Sequence, residues 1–347
     1  MVKKLKLVTT GAGYFSQFQY EAWSRIKEVE LVAICNRHVE RARPIADTYG
    51  IAKIYTDIDE MLDTEKPDLI DIITPPVTHA PYCKAAIARA IPAICQKPFT
   101  SSLAEAEDLV AHMEAKSGTI IIHENFRFQP WYGKIRQILD SGRLGEIYEI
   151  QFCLRPGDGQ GPGAYLDRQP YFQQMPRFLI HETGVHLIDV FRFLLGEVVS
   201  VYADLIQLNP AIKGEDAGIV LIEFANGARG IFNGNRLSDH RAQNRRRTMG
   251  ELRIEGSKGV LRLNGDGEIF CRVHGSDNDE QVSYDWSDNA FGGDCVYRTQ
   301  RHIIDHLVHG EPVMNSAPDY LANQRIVELV YQSDRAGRKF NVERAGR

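Results

Sequence analysis

Two α/β units in series are the fold class this sequence predicts. A doubly wound domain over residues 1–123 precedes an α+β domain with a mostly antiparallel open sheet over residues 124–347. Three observations carry that expectation. Over the first third, strands that are apolar throughout alternate with helical patterns, as a parallel sheet covered on both faces requires. Beyond about residue 145, short strands are joined by Asn-Gly and Gly-rich turns, which indicates antiparallel hairpins. The length of 347 residues is about two domains at roughly 150 residues each.

Taken in order, residues 5–9 read as a buried strand ending at glycines, 17–27 as a helix and 31–35 as a β-branched strand. Residues 39–49 are helical, 69–73 a strand and 80–90 an Ala-rich helix. A strand at 91–95, a helix at 103–115 after Ser101-Ser102 and a strand at 119–122 complete the first domain. Right-handed crossovers turn such a series into a doubly wound sheet. A strand at 147–154 then leads into a Gly/Pro-rich loop at 157–163, and 183–195 reads as a helix with Leu187, Val190, Phe191 and Leu194 on one face. Strands at 218–224 and 228–232 flank Ala225-Asn226-Gly227, and strands at 252–255 and 260–263 flank Gly256-Ser257-Lys258-Gly259. Asn264-Gly265-Asp266-Gly267 leads into a strand at 268–273, and helices at 296–309 and 319–335 close the chain.

Composition narrows the classes. With 43% hydrophobic and 25% charged residues the chain is neither disordered nor collagen-like. Its 41 Lys+Arg against 46 Asp+Glu give a net charge of −5, so no global basic field draws it to nucleic acid or an anionic membrane. The six cysteines form no C-x-x-C pair, which suits reduced thiols in a cytoplasm. No uncharged run approaches the roughly 18 residues of a membrane span, and Lys6 interrupts the short apolar start, so neither a span nor a signal peptide is expected.

Five segments carry chemistry. Gly11-Ala12-Gly13-Tyr14-Phe15-Ser16 follows the first strand, where the first glycine of a dinucleotide fingerprint makes the tight turn and the second admits a pyrophosphate. Ser16 stands at the third glycine position and, being small, compromises the packing only mildly. The second strand ends in Asn36-Arg37 without the acid that usually takes a ribose 2′-hydroxyl. Asn36 can bond a ribose hydroxyl, and Arg37 can face a 2′-phosphate or be a solvated loop residue. The cofactor expectation is therefore NAD(P), tipped towards NADP. Thr74-Pro75-Pro76 fixes a turn at the sheet's carboxyl edge, with His79 either lining the crevice or holding structure. Gln96-Lys97-Pro98 places a cation at the same edge, where it can stabilise negative charge on a substrate oxygen. Finally, Glu182 and His186 are four apart on an expected helix, and a carboxylate beside an imidazole suits a general base.

In order along nearly the whole chain these segments resemble the Gfo/Idh/MocA oxidoreductases, the family of glucose–fructose oxidoreductase and inositol dehydrogenase. The resemblance rests on Gly11–Ser16, Thr74-Pro75-Pro76 with His79, a Glu-Lys-Pro-type motif at 96–98, and Asn125-Phe126-Arg127-Phe128 with Pro130. It extends through Ser141-Gly142-Arg143-Leu144-Gly145-Glu146-Ile147 and the acid-x-Gly-x-His segment ending at His186. It implies an NAD(P)-binding Rossmann domain, then an α+β domain whose open sheet serves a homo-oligomer, a dimer or tetramer. It also implies that Lys97 polarises the reacting oxygen, His186 exchanges its proton and Glu182 assists from the family's usual Asp position. Gly11, Gly13, Tyr14, Phe15, Asn36, Arg37, Thr74, Pro75, Pro76, His79, Gln96, Lys97 and Asn125 then face the cofactor. Gln96 replaces the usual Glu and removes a negative partner of Lys97.

The resulting expectation is a cytoplasmic NAD(P)-dependent dehydrogenase that oxidises a secondary hydroxyl of a sugar, sugar acid or cyclitol, or reduces the ketone. Arg127, Arg155, Tyr165, Arg168 and Arg177 are the expected substrate contacts, and several arginines there point to an anionic group such as a uronate or aldonate. Two alternatives stay open: a redox-neutral epimerase or eliminase with tightly held cofactor, and a non-catalytic cofactor- or sugar-sensing regulator. His302, Asp305, His306 and His309 have metal-like spacing, but an ordinary helix stop follows them and hydride chemistry calls for no metal. The basic run from His240 to Arg247 lacks interleaved aromatics, so a solvated loop or an acidic partner outranks nucleic acid.

Overall fold

The structure is a computed structural model that describes residues 4–343. Met1–Lys3 and the last four residues of the expected domains lie outside the described residues. The first unit begins β1 Leu5–Thr10, α1 Ser16–Ser24, β2 Val29–Cys35, α2 Val39–Tyr49, β3 Lys53–Tyr55, α3 Ile58–Glu65, β4 Leu69–Ile72. It continues α4 His79–Ile87, β5 Ala93–Gln96, α5 Leu103–Ala115, β6 Ile120–His123. Its six strands lie in the order β3-β2-β1-β4-β5-β6, all parallel. Strand order therefore reverses between β1 and β4, and a ligand crevice forms beyond the carboxyl ends of those two strands.

Local signals account for several boundaries. The α5 start is a capping pair: Ser102 Oγ accepts from Glu105 N, and Glu105 Oε2 reaches back to Ser101 N. Asp57 caps α3 by accepting from Glu60 N. The short edge strand β3 and helix α3 were not expected from the sequence, because three residues headed by Lys53 carry too little pattern to stand out.

Beyond β6 come α6 Pro130–Asp140, β7 Ile147–Leu154, α7 Val185–Leu195, β8 Val198–Ile206, β9 Ala217–Phe224, β10 Arg229–Asn235, β11 Gly250–Gly256 and β12 Gly259–Leu263. The chain ends β13 Ile269–Val273, β14 Glu280–Val282, α8 Cys295–His309, α9 Ala317–Ala336, β15 Phe340–Asn341. Nine strands form a second sheet in the order β14-β13-β12-β11-β7-β10-β9-β8-β15. It is antiparallel except for the β7–β10 pair, which is parallel. One face buries Ile150, Phe152, Val220, Ile222, Phe224, Phe232 and Leu252, and Phe191 of α7 packs on Phe224 at 6.4 Å between ring centroids. The opposite face leaves Tyr202, Ile219 and Leu221 exposed.

The expected domain boundary at 123/124 needs two corrections. The first unit runs to Asn125, and it takes back Val296–Ala322 from the far end of the chain; the second is Phe126–Cys295 with the chain from Asn323 onward. The reason is the apolar stripe of α8. Ile303 and Ile304 are buried with Leu7, Trp23, Leu69, Ile94 and Ile121, so this helix completes the core of the parallel sheet. Two histidines of its expected metal-like set serve the turn after it: His302 Nε2 accepts from Met314 N, and His306 Nδ1 meets the Glu311 carbonyl. Among the described residues no group of three His, Cys, Asp or Glu is placed to hold a metal.

Candidate active site

In the first unit the glycine turn sits at the switch point. Gly11 has φ +99°, and a Cβ there would come within 2.6 Å of the Ile73 carbonyl oxygen at the end of β4. Only glycine allows the two strand ends to close so tightly. A Cβ on Gly13 would meet nothing within 4 Å, so its backbone is open to an approaching group. Ser16 Oγ donates to the Gly13 carbonyl at 2.7 Å, which ties the turn to the first residue of α1. Tyr14 is exposed, and Phe15 stacks obliquely on Phe18 at 5.2 Å. At the end of β2, Asn36 Nδ2 donates to the His38 carbonyl at 2.7 Å, and the Arg37 side chain is exposed.

His79 is a strut and is fully buried. Its Nε2 lies 2.7 Å from the Thr74 carbonyl, and its Nδ1 lies 3.0 Å from the carbonyls of Pro98 and Phe99. It thus joins the Thr74-Pro75-Pro76 turn to the Lys97-Pro98 turn, whose peptide bond is cis. Burial depresses its basicity, against the pull of those carbonyls. Gln96 uses Oε1 to accept from Lys97 N, while its Nε2 is buried without a protein partner. On the neighbouring strand end, Asn125 Oδ1 is likewise buried and unanswered. A donor and an acceptor left waiting at the carboxyl edge fit a carboxamide such as that of nicotinamide, and Gly11 and Gly13 fit a pyrophosphate.

In the second unit, Glu182 lies in a π-helical turn, Leu179–Gly184, that runs directly into α7. Glu215 anchors this turn from outside: its carboxylate accepts from Phe178 N and Ile180 N at 3.1 Å and from Tyr331 Oη at 2.5 Å. His186, in the first turn of α7, is held flat against Phe126, with centroids 3.9 Å apart and planes 4° apart. Phe291 approaches Phe126 from 6.0 Å. The helix itself is pinned by a buried network. Asp189 Oδ2 accepts from Arg127 Nε at 2.7 Å, and Asp189 Oδ1 accepts from Arg127 Nη2 at 2.5 Å and from Asn323 Nδ2 at 2.7 Å.

Residues 5–124 match the family described as "Oxidoreductase family, NAD-binding Rossmann fold", and residues 132–262 match the "GFO/IDH/MocA C-terminal domain". The chain belongs to the Gfo/Idh/MocA oxidoreductase family. It is 31% identical to the D-apiose dehydrogenase of Rhizobium rhizogenes over 98% of both chains. It is also 31% identical to the D-apiose dehydrogenase of Paraburkholderia graminis, over 99% of this chain and 91% of that one. The crystal structure of an oxidoreductase from Agrobacterium radiobacter in complex with NAD+, L-tartaric acid and magnesium superposes with a TM-score of 0.89, at 30% identity and 98% coverage of each chain. As a member of the Gfo/Idh/MocA family the chain is an oxidoreductase with an NAD-binding Rossmann domain.

Against that family frame, the arginines expected at the substrate are committed elsewhere. Arg127 is buried on Asp189. Arg155 donates to the Leu154 and Asn233 carbonyls and to Asn233 Oδ1, on the sheet face opposite α7. Arg168 is paired with Asp158 at 2.5 Å, and Arg177 with Glu328 at 2.6 Å. Tyr165 is buried, its hydroxyl 3.0 Å from Asp158 Oδ1. In the basic run, Arg245 pairs with Asp239, and Arg247 with Asp266 and Asp288. The side chain missed from sequence is Arg236, just beyond β10. It is 2% exposed, ringed by Tyr165, Phe172 and Phe178, and 3.6 Å from Glu182. One arginine among many in a single sequence carries no mark of burial, so no signal could have found it.

Proposed function

We propose that the protein is an NAD(P)-dependent dehydrogenase of an uncharged sugar or polyol, oxidising a secondary hydroxyl or reducing the corresponding ketone. The observation that carries the reading is Lys97 at the carboxyl edge of a sheet whose switch-point turn is shaped for a pyrophosphate. In this reading Lys97 binds the reacting oxygen and steadies its developing negative charge, and His186 takes the hydroxyl proton. Phe126 keeps the imidazole in one orientation, and Glu182 assists it. Gln96 and Asn125 hold the carboxamide end of the dinucleotide, and Tyr14, Phe15, Asn36, Arg37, Thr74, Pro75 and Pro76 border the remainder. When bound, the nicotinamide supplies the hydride acceptor or donor.

Three neutralised arginines support an uncharged substrate. Arg127, Arg168 and Arg177 each face a carboxylate, so the anionic group expected from their number loses its receptors. The D-apiose dehydrogenases similar to this chain are named for an uncharged sugar. Arg37, exposed and without an acid beside it on the strand end, supports acceptance of NADP as well as NAD. The exposed apolar rows of the second sheet support a homo-oligomer.

A screen of neutral aldoses, polyols and sugar acids, each with NAD+ and NADP+ and followed by nicotinamide absorbance, tests the reading. Turnover of a neutral sugar is the expected result. Faster turnover of uronates or aldonates overturns the uncharged-substrate reading. Product formed without net reduction of cofactor moves the function to redox-neutral chemistry, and no turnover with retained cofactor binding moves it to a sensor.

A further inference from the structure

Arg236 is the hub of two parallel hydrogen-bond relays, each ending on a carboxylate. Its Nη1 donates to Thr183 Oγ1 at 2.6 Å, and Thr183 Oγ1 lies 2.5 Å from Glu182 Oε2. Its Nε donates to Tyr165 Oη at 2.7 Å, and Tyr165 Oη lies 3.0 Å from Asp158 Oδ1. Its Nη2 bonds Asp158 Oδ2 directly at 2.9 Å. A guanidinium has donors and no acceptor. Each hydroxyl that receives a hydrogen from Arg236 must therefore turn its own single proton outward, Thr183 to Glu182 and Tyr165 to Asp158. Glu182 Oε2 thereby accepts the Thr183 proton with the Arg236 guanidinium 3.6 Å away, and the hydrogen bond and the nearby positive charge both favour the ionised carboxylate.

We propose that Arg236 is a positioning residue which, through the Thr183 hydroxyl, locks Glu182 in one rotamer and in its ionised form. Its bearing on catalysis rests on the dehydrogenase reading above, in which Glu182 assists His186.

The surroundings agree with this assignment. Burial works against the Arg236 charge, but the fields of Asp158 and Glu182 more than restore it. Burial likewise pushes Asp158 up, and the charges of Arg236 and Arg168 reverse this and hold it below the usual carboxylate range. Asp158 and Glu182 therefore share the Arg236 charge, and Arg168 supplies Asp158 with a second cation. Tyr171, on the 3-10 turn Pro170–Gln174, is largely exposed, and partial desolvation of its hydroxyl together with the negative charge of Glu182 raises its pKa. The carboxylate of Glu182 is 20% exposed, accessible from one side and fixed from the other.

The test compares Thr183→Val, which removes the relaying proton, with Thr183→Ser, which keeps it, and with Arg236→Lys. The Glu182 carboxyl is followed by 13C NMR titration of labelled protein without substrate, assigned by difference from Glu182→Gln. The expected result is a titration about one unit higher in Thr183→Val and Arg236→Lys, and unchanged in Thr183→Ser. The acid limb of kcat against pH should move with it in Thr183→Val, with kcat down about tenfold and the KM for dinucleotide unaltered. A Glu182 titration or an acid limb that stays put in Thr183→Val overturns the proposal. If the wild type turns over no sugar, the dehydrogenase reading fails, while the NMR titration still decides the role of Arg236.

Discussion

His186 is held by a neighbouring ring as well as by its helix, and substitutions should separate the two. The imidazole owes its orientation to Phe126, 3.9 Å away and almost parallel, as much as to the helix that carries it. Phe126→Leu keeps an apolar neighbour but loses the flat surface, so kcat should fall about tenfold while dinucleotide affinity holds. His186→Asn should lower kcat by about a thousandfold, the scale of a lost general base. Steady-state kinetics with parallel dinucleotide titrations check both; equal losses in kcat and in dinucleotide affinity would contradict them. The residue types of the proposed catalytic set stand out in the sequence because chemistry is written in side chains: a lysine before proline at a strand end, an acid four before a histidine. The partners were not legible. Arg168 and Arg177 read as substrate receptors until Asp158 and Glu328 are seen against them, and those acids are 10 and 151 residues away in sequence.

At the level of elements, one buried acid sets a pH dependence in the parallel sheet. Asp71, in the middle of β4, is fully buried, and its Oδ2 accepts from Trp23 Nε1 of α1 at 2.7 Å while Oδ1 has no partner. Burial raises its pKa to about 7, against the lowering effect of the Trp23 bond. In the unfolded chain an aspartate titrates near about 3.9. Below that value both states are protonated, and Asp71 neither adds nor removes stability. Between about 4 and 7 the unfolded chain ionises while the folded one keeps its proton, so stability falls as pH rises, and above about 7 the loss is complete. Three units at about 1.4 kcal/mol each make it on the order of 4 kcal/mol. Asp71→Asn retains an acceptor for Trp23 and removes this loss. Its unfolding midpoint in urea should match the wild type at pH 4 and exceed it at pH 8; parallel curves would refute the assignment. Periodicity made most of these elements legible: α2 and β7 fall where apolar spacing puts them, and α5 also starts at its serine cap. It failed for β3, α6 and β8, and for the π turn Leu179–Gly184, whose conformation depends on Glu215 reaching in from a distant loop.

At the scale of the molecule, the chain order of the two cores was readable but the return of Val296–Ala322 to the first was not. The apolar face of α8 specifies that it is buried, and not against which sheet. The second sheet poses the complementary question, because among the described residues one of its faces leaves Tyr202, Ile219 and Leu221 exposed. Tyr202 pairs across strands with Leu221, and Leu221 with Ile231, giving an apolar row bordered by Ile219. Ile219 and Leu221 are 45% and 44% exposed, side by side on one strand face. A helix-backed sheet with such a row is suited to a second copy of itself, since a twofold axis lays identical rows across each other. A glutamate in the middle of that row would be desolvated against its own copy and repelled by it. Leu221→Glu is therefore expected to convert the assembly to monomers in light scattering, with far-UV circular dichroism unchanged because position 221 does not face the helix-covered core. A wild type that is already monomeric at micromolar concentration would remove the oligomer proposal. A variant that stays assembled would place the interface elsewhere on the chain.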